Sequence, residues 1–116
     1  MSQTVTLQPV SNREDWDDTF ELFDAETGAA LDLSAVTAIT LTVWDEESRS
    51  IRISKSLGAG VSILDLAGGV VAIHAAASEM ESLHAKSYPL RLSMVNGGAT
   101  KDLILGVLPV EDGGPT

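Results

Sequence analysis

A period of two runs through this chain, interrupted at short intervals by turn-forming residues, and it limits the fold more than any other feature. Residues 37–44 read Thr-Ala-Ile-Thr-Leu-Thr-Val-Trp, with Ile39, Leu41 and Val43 on one face and Thr40 and Thr42 on the other. Successive side chains of an extended strand point to opposite sides, so this is a strand with one face in a core. The pattern recurs at 50–55, 69–75 and 87–95. In the last of these Tyr88, Leu90, Leu92 and Met94 share a face. Pro89, which has no N–H to give, predicts that this end of the strand is not fully paired.

The remaining segments follow the same logic. Residues 4–10 read as a first strand with Val5 and Leu7 on one side. Residues 12–18 are polar and acidic, with Trp16 their one large apolar group. A strand at 19–24 places Phe20 and Leu22 together and Phe23 opposite, and Gly28 sits in the turn that follows. Residues 31–36 form a bridging loop or single helical turn that tucks Leu33 and Val36 inward. After a charged turn at 45–49, Ile51 and Ile53 are expected inward and Arg52 and Ser54 outward. Val61 and Ile63, then Val71 and Ile73, supply two more inward pairs, with His74 on the face opposite the latter.

At 76–83 the period changes. Ala76, Met80 and Leu83 lie four and three residues apart, which lines them up on one side of a short helix. Ser78 and Glu81 have the spacing of a capping box. Asn96-Gly97-Gly98 is a hairpin signal, because these residues tolerate positive φ. Residues 101–110 close that hairpin, and loose termini are expected at about 1–3 and 111–116. About seven to nine mostly antiparallel strands with one short helix, in a single domain over 1–116, fit a mainly β fold of the immunoglobulin-like β-sandwich kind. A small barrel shares the same strand count and alternation.

Composition narrows the chemistry. A chain of 116 residues buries about two-thirds of its unfolded surface without a staple. No cysteine is present, which removes disulfides, thiol nucleophiles and cysteine metal sites. Seventeen acidic residues against seven basic ones give a net charge of -10, which disfavours direct contact with nucleic acid or an anionic membrane. No stretch reads as a secretory signal or a spanning segment, so membrane insertion is not expected.

Candidate sites are sparse. His74 and His84 lack the spacing of a metal motif and read as surface or locally hydrogen-bonded residues. Asp15, Asp17, Asp18, Asp24, Glu26 and Asp32 are acids of turns and loops. Of these, Asp24, Glu26 and Asp32 are the weak calcium candidates, since they could approach one another across a turn, but the register of a calcium loop is missing. Neither a phosphate loop nor a nucleophile elbow is present, so no cofactor and no enzymatic activity are expected. Trp44 ends its strand on the threonine face, and Trp16 lies in a polar segment. Both tryptophans, with Thr40 and Thr42, are the candidate contact residues, because exposed aromatics mark interaction surfaces.

One ordered pattern spans the chain. It begins with Phe20, Asp24, Gly28 and Asp32-Leu33-Ser34, then the strand ending at Trp44. Next come Gly60-Val61-x-Ile63, Gly69-x-Val71-x-Ile73, Ser78-x-Met80-x-x-Leu83, Tyr88-x-Leu90 and Gly106-x-x-x-Val110. In this order the chain, over about residues 17–112, resembles a group of small tailed-bacteriophage and prophage proteins related in pattern to the N-terminal β-sandwich of baseplate upper proteins. The resemblance implies structural roles: Asp32 and Gly69 shape turns, Leu33, Val71, Ile73, Met80 and Leu83 fill the core, and Tyr88 anchors the last hairpin. The group often carries an acid shortly after that tyrosine, where this chain has Arg91. The implied function is that of a non-enzymatic structural protein of the virion, made in the bacterial host cytoplasm. It would be a tail or baseplate module acting through protein–protein contacts, including self-association. A carbohydrate- or host-receptor-binding β-sandwich module is the alternative.

Overall fold

The computed structural model describes residues 3–24 and 27–112. Nine strands and one short helix follow one another as β1 (Gln3–Thr6), β2 (Val10–Ser11), β3 (Trp16–Glu21), β4 (Val36–Trp44), β5 (Ile51–Leu57), β6 (Gly60–Asp65), β7 (Val70–Ala75), α1 (Ala77–Met80), β8 (Ser87–Asn96) and β9 (Ala99–Glu111). They run side by side in the order β1-β9-β8-β4-β5-β6-β7-β3, with β2 attached to β9. The result is a mainly β fold whose sheet curls into a nearly closed, barrel-like wall around one core.

The join between β5 and β6 differs from the others. Its paired residues, Ser56 with Gly60 and Leu57 with Val61, are four positions apart in sequence. The sheet is therefore carried round this point by a corner of a single chain segment. β5 pairs with β4 on one side of the corner, and β6 pairs antiparallel with β7 on the other.

The alternating residues form the core as the period of two requires. Ile39, Leu41, Val43, Val71, Ile73, Leu90 and Leu92 are all buried, and Tyr88 and Met94 join them. Leu33 and Leu83 are drawn in from connecting segments. The β8–β9 hairpin closes with Gly97 and Gly98 at φ +60° and +84°. Positive φ at both central positions is what a type I′ turn needs. At Gly69, with φ +68°, a Cβ would stand 2.7 Å from the carbonyl oxygens of both Leu22 and Leu31, so glycine is required there for space as well as conformation. The β4 ladder on β8 ends at the Val43–Leu90 pair, so Pro89 is paired with β9 alone, as its missing N–H predicts.

Four expectations need correction. The strand expected at 19–24 begins at Trp16, three residues earlier. Trp16 then has the same parity as Phe20 and Leu22, and its indole is buried in the core rather than offered for contact. Ile51 was expected inward but is 64% exposed. A bulge sets Val43 opposite Ile53 but Trp44 opposite Ile51, so Arg52 is the extra residue and Ile51 is turned outward. The helix is shorter than 76–83, and its reciprocal carboxylate is Glu79 rather than Glu81: Glu79 Oε2 accepts the Ala76 N–H at 2.8 Å. Finally, the first strand is broken into β1 and β2 around Pro9, and both Gln3 and Glu111 belong to strands rather than to loose ends.

Candidate functional site

The outer face of β5, β4, β8 and β9 gathers the residues with the most to offer a partner. The register sets them in rows across the strands. Ile51 lies opposite Trp44, the β4–β8 ladder ends one residue earlier at Val43–Leu90, and Pro89 lies opposite Val107. In the next row Thr42 lies opposite Arg91, and Arg91 opposite Leu105. Ile51, Leu105 (39% exposed) and Val107 (37%) are large apolar groups facing out.

On this face, Thr42, Trp44, Arg49, Ile51 and Arg91 line a groove of about 360 Å³. The Arg91 guanidinium stands 6.0 Å from the centre of the Trp44 ring, within reach of a cation–π contact. Its Nε is also 3.9 Å from Asp102 Oδ1 across the β8–β9 ladder, a loose and half-exposed pairing. The Arg49 side chain has no hydrogen-bond or ionic partner among the described residues. Its backbone has φ +60°, the one non-glycine residue in the left-handed region among those described.

Asp45 builds the turn that holds Arg49 there. It is almost fully buried, and its Oδ1 accepts the Glu47 N–H at 2.9 Å. Its Oδ2 accepts from Lys86 Nζ at 3.0 Å, with Arg52 at 3.8 Å. The backbone closes the loop, with Asp45 N–H donating to Ser50 O and Arg49 N–H donating to Asp45 O. The Lys86 hydrogen bond, with support from the backbone N–H groups, holds the Asp45 carboxyl below its ordinary range, and the same bond raises Lys86. The groove thus has one wall fixed by a buried charge network and another fixed by the sheet.

A second cluster lies at the start of β3. Asp17 and His74 are cross-strand partners, and His74 Nδ1 is 2.6 Å from Asp17 Oδ1. Asp15 completes a group of three ligand-type atoms within 4.8 Å of one another. An imidazole and two carboxylates can take up a divalent cation, but here each group is exposed and each already has a protein partner. Asp15 Oδ1 accepts the Ala77 N–H at 2.7 Å, capping α1 from 62 residues away. Asp18 Oδ2 accepts the Trp16 indole N–H at 3.3 Å.

The candidates read from sequence fall on both sides of this division. Thr40, Thr42 and Trp44 lie on the outer face of β4, half-buried among their neighbours. Asp24 and Asp32 serve their own turns. Asp24 Oδ1 accepts the Thr27 N–H at 3.3 Å, and Asp32 Oδ1 accepts the Ser34 N–H at 2.9 Å, a bond that lowers the Asp32 carboxyl from its ordinary value. Glu26 lies outside the described residues. Sequence reasoning missed Arg49, Ile51 and Arg91 as groove residues. Arg91 could have been found by parity, since it faces away from Leu90 and Leu92. Ile51 could not, because nothing in its neighbourhood announces the bulge.

Among the described residues no helix is long and apolar enough to cross a membrane. No protein-family model matches the chain, and no curated protein matches it.

Proposed function

We propose that this protein is a non-enzymatic bacteriophage structural module that joins tail or baseplate proteins through contacts made by the outer face of β5, β4, β8 and β9. The single observation that carries the reading is the outer-face gathering of exposed Ile51 and Val107 with half-buried Trp44, beside a groove walled by two guanidinium groups. Trp and Arg are the residues that anchor interfaces, and here they share one concave site. The ordered pattern from Phe20 to Val110 supports the virion assignment, and an immunoglobulin-like sandwich is the finer architecture proposed. The corner at β5–β6 supports it, by letting one chain pass from β1-β9-β8-β4-β5 to β6-β7-β3 as it would between two packed sheets.

Mass spectrometry of purified particles produced by cells carrying the gene tests this assignment. A fixed copy number relative to the tail proteins is expected, and absence from the particle overturns it. Glycan titration of the isolated chain tests the action through protein contacts. No saturable sugar binding is expected, and saturation that is lost in Trp44→Ala would transfer the groove to a host carbohydrate.

A further inference from the structure

The turn that brings Arg49 to the Trp44 groove carries charge of both signs, and this points to an occupant. Arg49 has no ionic partner among the described residues, and three positions earlier Glu46 is exposed and also lacks one. Between that turn and the β8–β9 side lie the exposed apolar groups Ile51, Leu105 and Val107, with the half-buried Trp44. Four strands at a spacing of about 4.8 Å make this patch roughly 14 Å across. An isologous contact needs one surface that is its own complement. An apolar centre bordered on one loop by Arg49 and the carboxylates of Glu46 and Glu47, all unpaired among the described residues, offers each copy the anion that the other copy's Arg49 lacks.

We propose that a second copy of this chain docks on this face about a two-fold axis beside the groove, pairing Arg49 of each copy with Glu46 of the partner subunit. Trp44 and Ile51, next to the turn, then pack against their own counterparts, and the Arg91 guanidinium stays stacked on the indole that becomes buried. The overall charge of -10 opposes the approach of two copies. At physiological salt that repulsion is screened beyond about 8 Å, while contacts inside the interface are screened far less. This inference rests on the contact reading of the preceding section and gives it a partner and a symmetry.

Light scattering and sedimentation of the whole chain over about a hundredfold range of concentration test it. A monomer–dimer equilibrium is expected. Ile51→Ser, a change at an exposed position that leaves the core untouched, shifts it toward monomer. Arg49→Glu and Glu46→Arg each weaken self-association about tenfold, since two symmetry-related pairs become like-charged. The two variants mixed together form a heterodimer more readily than either pairs with itself, because each then supplies what the other lacks. A monomer throughout the range overturns self-docking while leaving the face to a different virion protein, which the particle analysis reads separately. A dimer indifferent to Ile51→Ser and Arg49→Glu, or a closed ring of more than two copies, also overturns it.

Discussion

At the scale of single residues, Asp45 is the group on which most depends. It is a buried carboxylate tied to Lys86, to Arg52 and to the backbone of its own turn. Its carboxyl is held below the ordinary range, so its contribution to stability is present above about pH 4 and is lost as pH falls through the lowered value. Lys86 is raised, so its share is present at neutral pH and is lost only as alkaline pH rises through the raised value. Asp45→Asn is expected to lower Tm at pH 7 and to flatten the fall in Tm between pH 5 and pH 2. Thermal unfolding of both proteins across that range checks it, and parallel acid limbs would assign the acid sensitivity to other carboxylates. Arg49, at φ +60°, is held by the Asp45 backbone carbonyl, a bond the variant leaves in place, so the groove wall is expected to persist in Asp45→Asn.

At the scale of elements, alternation predicted most of the strands and their buried faces, because a one-residue error in parity would turn every apolar side chain to water. Two failures had physical causes. Trp16 falls in a segment that reads as polar and acidic because its neighbours are Asp15, Asp17 and Asp18, yet Asp17 lies on the solvated face of a strand, and Asp18, on the inner parity between Trp16 and Phe20, is half-buried and accepts the Trp16 indole N–H. Ile51 was misassigned because a bulge is a break in pairing between two strands, and no local propensity encodes it. The helix shows a third limit. Its N-cap residue, Ala76, has no side chain to accept the first-turn N–H groups, and the Ala77 N–H is instead accepted by Asp15, far away in sequence. Asp15→Ala is expected to cost about 0.5–2 kcal/mol, the usual loss on removing a helix cap. Urea unfolding measures it. Asp17→Ala, which leaves the cap in place, is the control, and an equal loss from both would deny Asp15 the capping role.

At the scale of the whole molecule, the sequence made the candidate site legible in part. Trp44, Thr40 and Thr42 could be placed on an outer face by parity alone, but the groove depends on residues from four separate segments whose register no local pattern reveals. What the fold does with its two tryptophans has a further consequence. Trp16 is enclosed in the core with its N–H held by Asp18, whereas Trp44 lies at the groove beneath a guanidinium. The chain therefore carries two intrinsic fluorophores in unlike surroundings, one reporting the integrity of the interior and the other the occupancy of the surface. Trp44→Phe should leave a blue-shifted emission that changes only on unfolding, and Trp16→Phe one that shifts with protein concentration or added partner while the far-ultraviolet circular dichroism stays constant. Folding and assembly can then be followed at separate positions of the same unlabelled protein, by light alone.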